Sequence, residues 1–141
     1  MKLLKQHDPE SYLQKETETL ILRHEPSLHA AIEATGRIIL PIPGGYQCCL
    51  PEEILYLKAD SNYTEINYTD GSKKLLSKTL KVLEDILPSH QFFRIHKSYV
   101  VNAAHITDII LSTHESAVKL TGGHTIPVSR EKKISILLLK K

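Results

Sequence analysis

The stretch that most constrains the fold is Phe92–Asn102, which reads F-F-R-I-H-K-S-Y-V-V-N. Phe93, Ile95 and the run Tyr99–Val101 are β-forming residues that need a packed face. Between these apolar positions lies a dense set of side chains that suit phosphates and base edges: Arg94, His96, Lys97 and Ser98. A buried strand with a solvated polar end also accounts for this pattern, so the segment predicts a strand and leaves its function open.

Short strands separated by turn residues continue on both sides of this segment. The clearest turn signal is Asp70-Gly71, which predicts a tight hairpin and therefore antiparallel pairing of its two strands. The other predicted strands are also short and bounded by turn residues. Together with the hairpin strands, they are residues 38–42, 46–50, 54–59, 63–69, 73–77, 104–112, 116–120 and 125–128. The sequence therefore predicts a mainly β, antiparallel fold.

Three segments have helical rather than β periodicity. Between Thr79 and Pro88, leucines recur at positions 80, 83 and 87, which gives a helix one apolar stripe for packing on a sheet. A closing helix is predicted over Arg130–Lys140, with Ser129 as its N-cap and apolar residues at 134, 137 and 138. A short helix is predicted after Ser27, ending at Gly36. One or two short helices on the sheets are therefore expected.

The bulk composition is that of an ordinary globular chain. Its 141 residues are enough for one domain and a tail, and 41% hydrophobic with 24% charged residues indicates neither disorder nor a fibre. No apolar run is long enough to cross a bilayer, and the N-terminus becomes polar too early for a secretory signal. We therefore predict a cytoplasmic protein with no membrane partner. The adjacent Cys48 and Cys49 are expected to stay reduced, because neighbouring cysteines form a disulfide only with strain.

Charge is distributed unevenly along the chain. The net charge is only +2, which by itself says little about a nucleic-acid partner. Residues 88–141, however, hold eight Lys and Arg against three Asp and Glu, whereas residues 1–50 hold five against six. A polyanion is therefore expected to meet the C-terminal half.

Three motifs in order resemble one known family. The central segment matches F-[FY]-R-x-H-[KR]-S-[YF]-[VI]-[VI]-N, followed by I-x-x-I at Ile106 and Ile109, and it is very similar to the core signature of LytTR DNA-binding domains. I-L-Y-L-K-A-D-S-N-Y-T, Ile54–Thr64, and I-P-V-S-R, Ile126–Arg130, match further pieces in the family's order. The resemblance covers residues 36–141, which we therefore predict to be a DNA-binding domain. It implies an elongated, antiparallel β-rich fold that reads the major groove through loops between strands.

The resemblance implies three DNA-facing segments. The first is the loop between two strands, where Asn62 suits adenine and Tyr63 or Thr64 suits phosphate; an Asx-turn is the alternative for Asn62. The third segment along the chain is the start of the closing helix; the second is described below. Arg130 suits guanine, and the helix start with Ser129 suits phosphate. Lys132 and Lys133 form either a DNA contact or a solvated helix face. The candidate DNA-binding residues in these two segments are Asn62, Tyr63, Thr64, Ser129, Arg130 and Lys133.

The second segment is the central motif. Lys97 matches the position that projects into the groove in relatives, and the resemblance also implies roles for Arg94, His96 and Ser98. Arg94 alternatively forms a structural salt bridge, and Asn102 caps or turns the chain after Val101. Relatives often carry Glu at the position of Lys58, so contacts beside the first loop are expected to differ.

We therefore predict a bacterial-type transcription regulator that binds double-stranded promoter DNA, with two copies on repeated half-sites and an upstream sensor or receiver partner. Residues 1–35 are too short for a receiver domain, so we predict a linker, a remnant of a longer protein or a small dimerisation helix. The eight histidines lack an H-E-x-x-H or C-x-x-C partner set, and no G-x-S-x-G motif is present, so no enzyme and no cofactor are predicted. The alternative is a protein-interaction or ligand-sensing module that uses the same β fold without binding DNA.

Overall fold

A computed structural model describes residues 27–132 of the chain. These residues fall in two units that meet between Gly36 and Arg37, and each is described by itself. The described part of the first unit is helix α1, Leu28–Ala34. Ser27 caps it, because its Oγ accepts a hydrogen bond from the Ala30 N–H at 3.0 Å, and Gly36 follows with φ +87°. Both predicted helix boundaries are thus confirmed.

The second unit consists mainly of antiparallel strands. They are β1 (Ile38–Ile42), β2 (Gly45–Cys49), β3 (Ile54–Asp60), β4 (Tyr63–Tyr68), β5 (Lys73–Leu76), β6 (Phe92–His96), β7 (Tyr99–Asn102), β8 (Ile106–Ile110), β9 (Ser116–Leu120) and β10 (His124–Val128). Helix α2, Leu80–Ile86, joins β5 to β6. Single 3-10 turns precede β3 at Pro51–Glu53 and β8 at Ala103–His105. The predicted mainly β, antiparallel fold is confirmed.

The strands form three sheets. β1 and β2 make a hairpin, β5-β4-β3-β7-β6 make a central five-stranded sheet, and β10-β9-β8 make a three-stranded sheet. The predicted hairpin at Asp70-Gly71 joins β4 to β5, with Gly71 at φ +89°, a backbone conformation that only glycine adopts readily. The Asp70 carboxylate accepts hydrogen bonds from the N–H and the hydroxyl of Ser72, which lower its pKa. Turn chemistry in the sequence therefore determines this pairing.

Two apolar cores lie on opposite faces of the central sheet. Residues of β3, β4 and β7, such as Leu57, Ile66 and Val100, pack with β1 and with the leucine stripe of α2. Val101 and Ile95, on the other face, pack with β9 and β10. Because side chains alternate along a strand, neighbouring residues of β7 supply both cores. The predicted α2 stripe is confirmed, since the leucines at 80, 83 and 87 are all buried.

The last part of the fold differs from the sequence-based expectation in one place. The sequence predicts a strand over Ala104–Ser112, but Ala103–His105 is a 3-10 turn, and β8 runs only from Ile106 to Ile110. The cause is Asn102, whose Oδ1 accepts a hydrogen bond from the Ala104 N–H at 2.9 Å and bends the chain. The closing helix begins at Arg130, as predicted, and residues 133–140 of that prediction lie outside the described residues. Within residues 27–132, no helix is both long and apolar enough to cross a membrane.

Two side chains of the first core, the Cys49 thiol and the Tyr68 phenol, are weak acids whose ionisation affects stability at alkaline pH. Burial raises the pKa of the Cys49 thiol to about 11, and burial raises the pKa of Tyr68, whose hydroxyl donates to Gln47 Oε1 at 2.7 Å, to about 12. The unfolded chain releases both protons at lower pH than the folded protein does. The free energy of unfolding therefore keeps its full value below the ordinary pKa values of 9.0 and 10.0, and it falls as pH rises through the raised pKa values.

We expect Tyr68→Phe to make this alkaline fall shallower, because the phenol that ionises in the unfolded chain is gone. Urea unfolding of both proteins between about pH 8 and about pH 12 measures the slope. Tyr46→Phe, at an exposed tyrosine, is the control and should keep the slope of the original protein. An unchanged slope in Tyr68→Phe contradicts the assignment.

Candidate nucleic-acid interface

Two hairpin tips lie at one end of the five-stranded sheet. Ser61 and Asn62 form the tip between β3 and β4, where Asp60 pairs with Tyr63. The second tip, Lys97–Ser98, joins β6 to β7, where His96 pairs with Tyr99. Both tips are two-residue loops, the commonest connection between the strands of a β-hairpin.

The two tips are neighbours because β3 and β7 pair in the middle of the sheet. Lys58 pairs with Tyr99, and the Ala59 N–H donates to the Ser98 carbonyl at 2.8 Å. Continued by one residue, this register sets Asp60 opposite Lys97, so the loop after Asp60 extends beside the second tip. The first and second predicted segments therefore lie at the same end of the five-stranded sheet.

The third predicted segment, the start of the closing helix, contacts the end of β6 and so lies beside the second segment. The Ser129 N–H donates to the Ile95 carbonyl at 2.9 Å, which fixes the start of the closing helix beside the end of β6. Ser129 Oγ accepts from the Lys132 N–H at 3.3 Å, as expected of an N-cap. One shallow surface depression is lined by Arg94, His96, Lys97, Ser129, Glu131 and Lys132. The structure thus brings the second and third segments into direct contact.

The residues of the first tip have different surroundings. Asn62 is exposed, and its side chain makes no hydrogen bond within residues 27–132, so the Asx-turn alternative finds no support there. Tyr63 is also exposed. Thr64 is fully buried and its hydroxyl donates to the Lys78 carbonyl at 2.8 Å, so it presents no group to a ligand. Ser61 has φ +56°, which fits the first position of a type II′ turn.

The Arg94 side chain forms hydrogen bonds and an ion pair with other groups of the protein. Its Nη1 contacts Glu84 Oε1 of α2 at 2.9 Å, its Nε donates to the His96 carbonyl at 2.9 Å, and its Nη2 donates to the Lys97 carbonyl at 2.5 Å. All three guanidinium nitrogens are used, and the charge is paired. The structure therefore favours the salt-bridge alternative for Arg94. Sequence reasoning missed Glu84, because the two partners are ten positions apart and that spacing carries no local signal.

A hydrogen bond links the backbone of Ser98 to the side chain of His96. The Ser98 N–H donates to His96 Nδ1 at 3.1 Å, and the imidazole ring meets the Tyr99 ring edge-on, with the ring centres 5.6 Å apart. A bulge at Ile95 permits this contact, because the pairing changes from Arg94 with Val100 to His96 with Tyr99. An extra residue turns the following side chain toward the other face of the sheet. His96 is thereby held over its own hairpin tip.

The remaining predicted residues differ in their exposure to solvent. Lys97 and Arg130 are exposed, Ser129 is half-buried, and Lys133 lies outside the described residues. Lys132 is half-buried in the depression rather than on a fully solvated helix face. Exposed cations at the same end of the sheet as the amide of Asn62 suit a polyanion that also offers base edges.

Comparison with known proteins identifies a family and similar proteins. Residues 47–139 match the family model of the LytTr DNA-binding domain. The sensory transduction protein LytT of Bacillus subtilis (strain 168) is 35% identical over 82 residues, which are 56% of this chain and 33% of that protein. The solved LytTr DNA-binding domain of a methyl-accepting/DNA response regulator from Bacillus cereus is similar with a TM-score of 0.62 and 25% identity, over 74% of this chain and 96% of that one. The chain thus spans about a third of the length of LytT.

Proposed function

Because the chain belongs to the family of LytTR DNA-binding domains, we propose that it is a transcription regulator that binds double-stranded promoter DNA and recognises a particular sequence in the major groove. The two hairpin tips and the start of the closing helix are the elements that enter or flank the groove. The family is one of DNA-binding domains, and we assign no catalytic step to this chain.

The observation that carries the proposal is the placement of the three predicted segments at one end of the five-stranded sheet. The backbone bonds from Ala59 to Ser98 and from Ser129 to Ile95 tie these segments together. A major groove about 12 Å wide admits a narrow protruding element, and two-residue β-tips are narrow. One duplex can therefore meet all three segments without rearrangement of the sheets.

Each exposed side chain suits a different part of the duplex. The amide of Asn62 matches the donor and acceptor of adenine, and the planar fork of Arg130 matches guanine O6 and N7. Lys97, at the outermost position of its tip, suits a base edge or a phosphate. Tyr63 and Ser129 suit phosphate oxygens, which fix the position of the protein along the backbone. Thr64 is left out because it is buried.

The wider role is also a proposal. LytT is described as a sensory transduction protein, and the chain spans about a third of it. We propose that residues 36–141 are the output module of such a regulator, that residues 1–35 are a linker or small helical segment, and that a sensor or receiver supplies the input. One module reads few base pairs, so two copies on repeated half-sites supply the specificity that a genome requires.

Selection of bound duplexes from a random pool tests the proposal, followed by a salt titration on the selected duplex. The pool is expected to converge on one motif, and the affinity for it to fall steeply as salt rises, in proportion to the phosphates neutralised. A pool that does not converge contradicts sequence recognition. The absence of duplex binding even at low salt favours a protein-interaction or ligand-sensing module instead.

A further inference from the structure

We propose that His96 and Arg94 act in recognition as positioning residues, which hold the Lys97–Ser98 tip in the shape that fits the groove, and that His96 does so through Nδ1. This inference rests on the proposed function, because the shape of the tip matters for recognition only if the tip contacts DNA. The sequence motif groups His96 and Arg94 with Lys97. We assign His96 and Arg94 to support of the tip from beneath rather than to contact with DNA.

Four backbone groups at the tip take part in hydrogen bonds. The Ser98 N–H donates to His96 Nδ1, and the Ser98 carbonyl accepts from the Ala59 N–H of the neighbouring strand. The carbonyls of His96 and Lys97 both accept from the Arg94 guanidinium. A loop whose backbone is already satisfied loses little conformational freedom on binding, so more of the contact energy appears as affinity.

The bond from Ser98 determines the tautomer of His96. A nitrogen that accepts a hydrogen bond carries no proton, so the proton of the neutral ring lies on Nε2. A protonated ring would turn two donors toward each other at this 3.1 Å contact. The edge-on contact with Tyr99 holds the ring in this orientation. His96 is therefore oriented to support the tip as a neutral acceptor.

Arg94 adds no free charge to the DNA-facing end. Glu84 pairs with it at 2.9 Å, and this pair is about one quarter to one third exposed. Because the pair is electrically neutral, its removal should weaken binding by loosening the tip without changing the number of phosphates neutralised. A lysine that contacts phosphate behaves differently, since its loss lowers the slope of affinity against salt by about 1.

Two substitutions of His96 separate positioning from contact. Asparagine places its side-chain oxygen near the place of Nδ1, whereas glutamine places its polar group near that of Nε2. The probe is the duplex that the wild-type full chain selects from a random pool, with a scrambled duplex of equal length as the reference. We expect H96N to keep the ratio of specific to non-specific affinity, and H96Q to lower it by about tenfold, which corresponds to about 1.4 kcal/mol.

Hydrogen exchange of the Ser98 amide in the free protein is the second measurement and needs no DNA. Exchange should stay slow in H96N and become faster in H96Q. Slow exchange in both variants, or a specific affinity that H96Q keeps and H96N loses, overturns the proposal and assigns His96 to direct contact through Nε2. If the wild-type chain selects no duplex, the proposed function fails, while the exchange data still decide whether His96 shapes the tip.

The charge-neutral double variant E84Q/R94Q tests Arg94. It is expected to lose specific affinity with an unchanged salt slope, whereas K97A is expected to lower the slope. A slope that falls by about 1 in the double variant means that Arg94 neutralises a phosphate, and it contradicts the positioning role. Thermal unfolding identifies the temperature range in which each variant is folded, and the binding and exchange measurements are both made within that range.

Discussion

Replacement of Asn102 by alanine is expected to lower the free energy of unfolding by about 3–5 kcal/mol. Asn102 is fully buried. Its Nδ2 donates to the carbonyls of Pro51 and Ile54 at 3.0 and 2.9 Å, and its Oδ1 accepts from the Ala104 N–H at 2.9 Å. Each buried backbone group left without a partner costs about 1–3 kcal/mol, and a cavity adds to that cost.

The position of these partners explains the size of the effect. They belong to the turn before β3 and the turn after β7, so one side chain connects two chain segments about fifty positions apart. Urea unfolding followed by circular dichroism measures the loss. Gln91→Ala is the matched control, because Gln91 gives Asn102 only one hydrogen bond, at 3.2 Å, from a half-buried site. If the two variants lose similar stability, Asn102 is not the connecting residue described.

Lys97→Ala and Arg130→Ala are each expected to lower the affinity for the selected duplex by about 1–3 kcal/mol. Both side chains are exposed at the end where the tips meet the start of the closing helix. The loss from Lys97 should appear partly as a smaller salt slope, since the proposed interface brings its ammonium to or near a phosphate. The loss from Arg130 should relax the base preference at one position of the motif.

Fluorescence anisotropy with specific and scrambled duplexes measures both effects. Lys73→Ala is the control, because it removes the same charge from the far end of β5 and should leave specific affinity unchanged. Arg130→Lys keeps the charge but loses the planar fork, so it should retain the salt slope while it loses base preference. Unchanged specific affinity in both alanine variants contradicts the proposed interface.

Local patterns in the sequence predicted the elements well. Alternation identified the strands, Asp70-Gly71 the hairpin between β4 and β5, and the leucine spacing the buried face of α2. These features depend on neighbours within a few residues, where backbone geometry fixes which side chains share a face. The family, too, could be identified from three short motifs, since their order reflects the order of the strands. The DNA-binding roles of the residues in those motifs stay predictions.

The identity of each buried partner could not be predicted in this way. Thr64 and Asn62 are two positions apart and both polar, yet only Thr64 faces the Lys78 carbonyl inside the protein. Arg94 and Lys97 are both cations of one motif, yet Glu84 of α2 pairs with Arg94 and leaves Lys97 exposed. The register of β6 changes at Ile95, and this bulge turns His96 over the tip.

The sequence by itself therefore determined the secondary structure, the antiparallel class and the family, because these follow from short-range periodicity, turn chemistry and motif order. Only the tertiary structure decided which polar residues of the motifs support the backbone and which face outward. The physical reason is that a hydrogen bond or ion pair depends on which atoms the folded chain brings within about 3 Å, and spacing along the chain does not specify that distance.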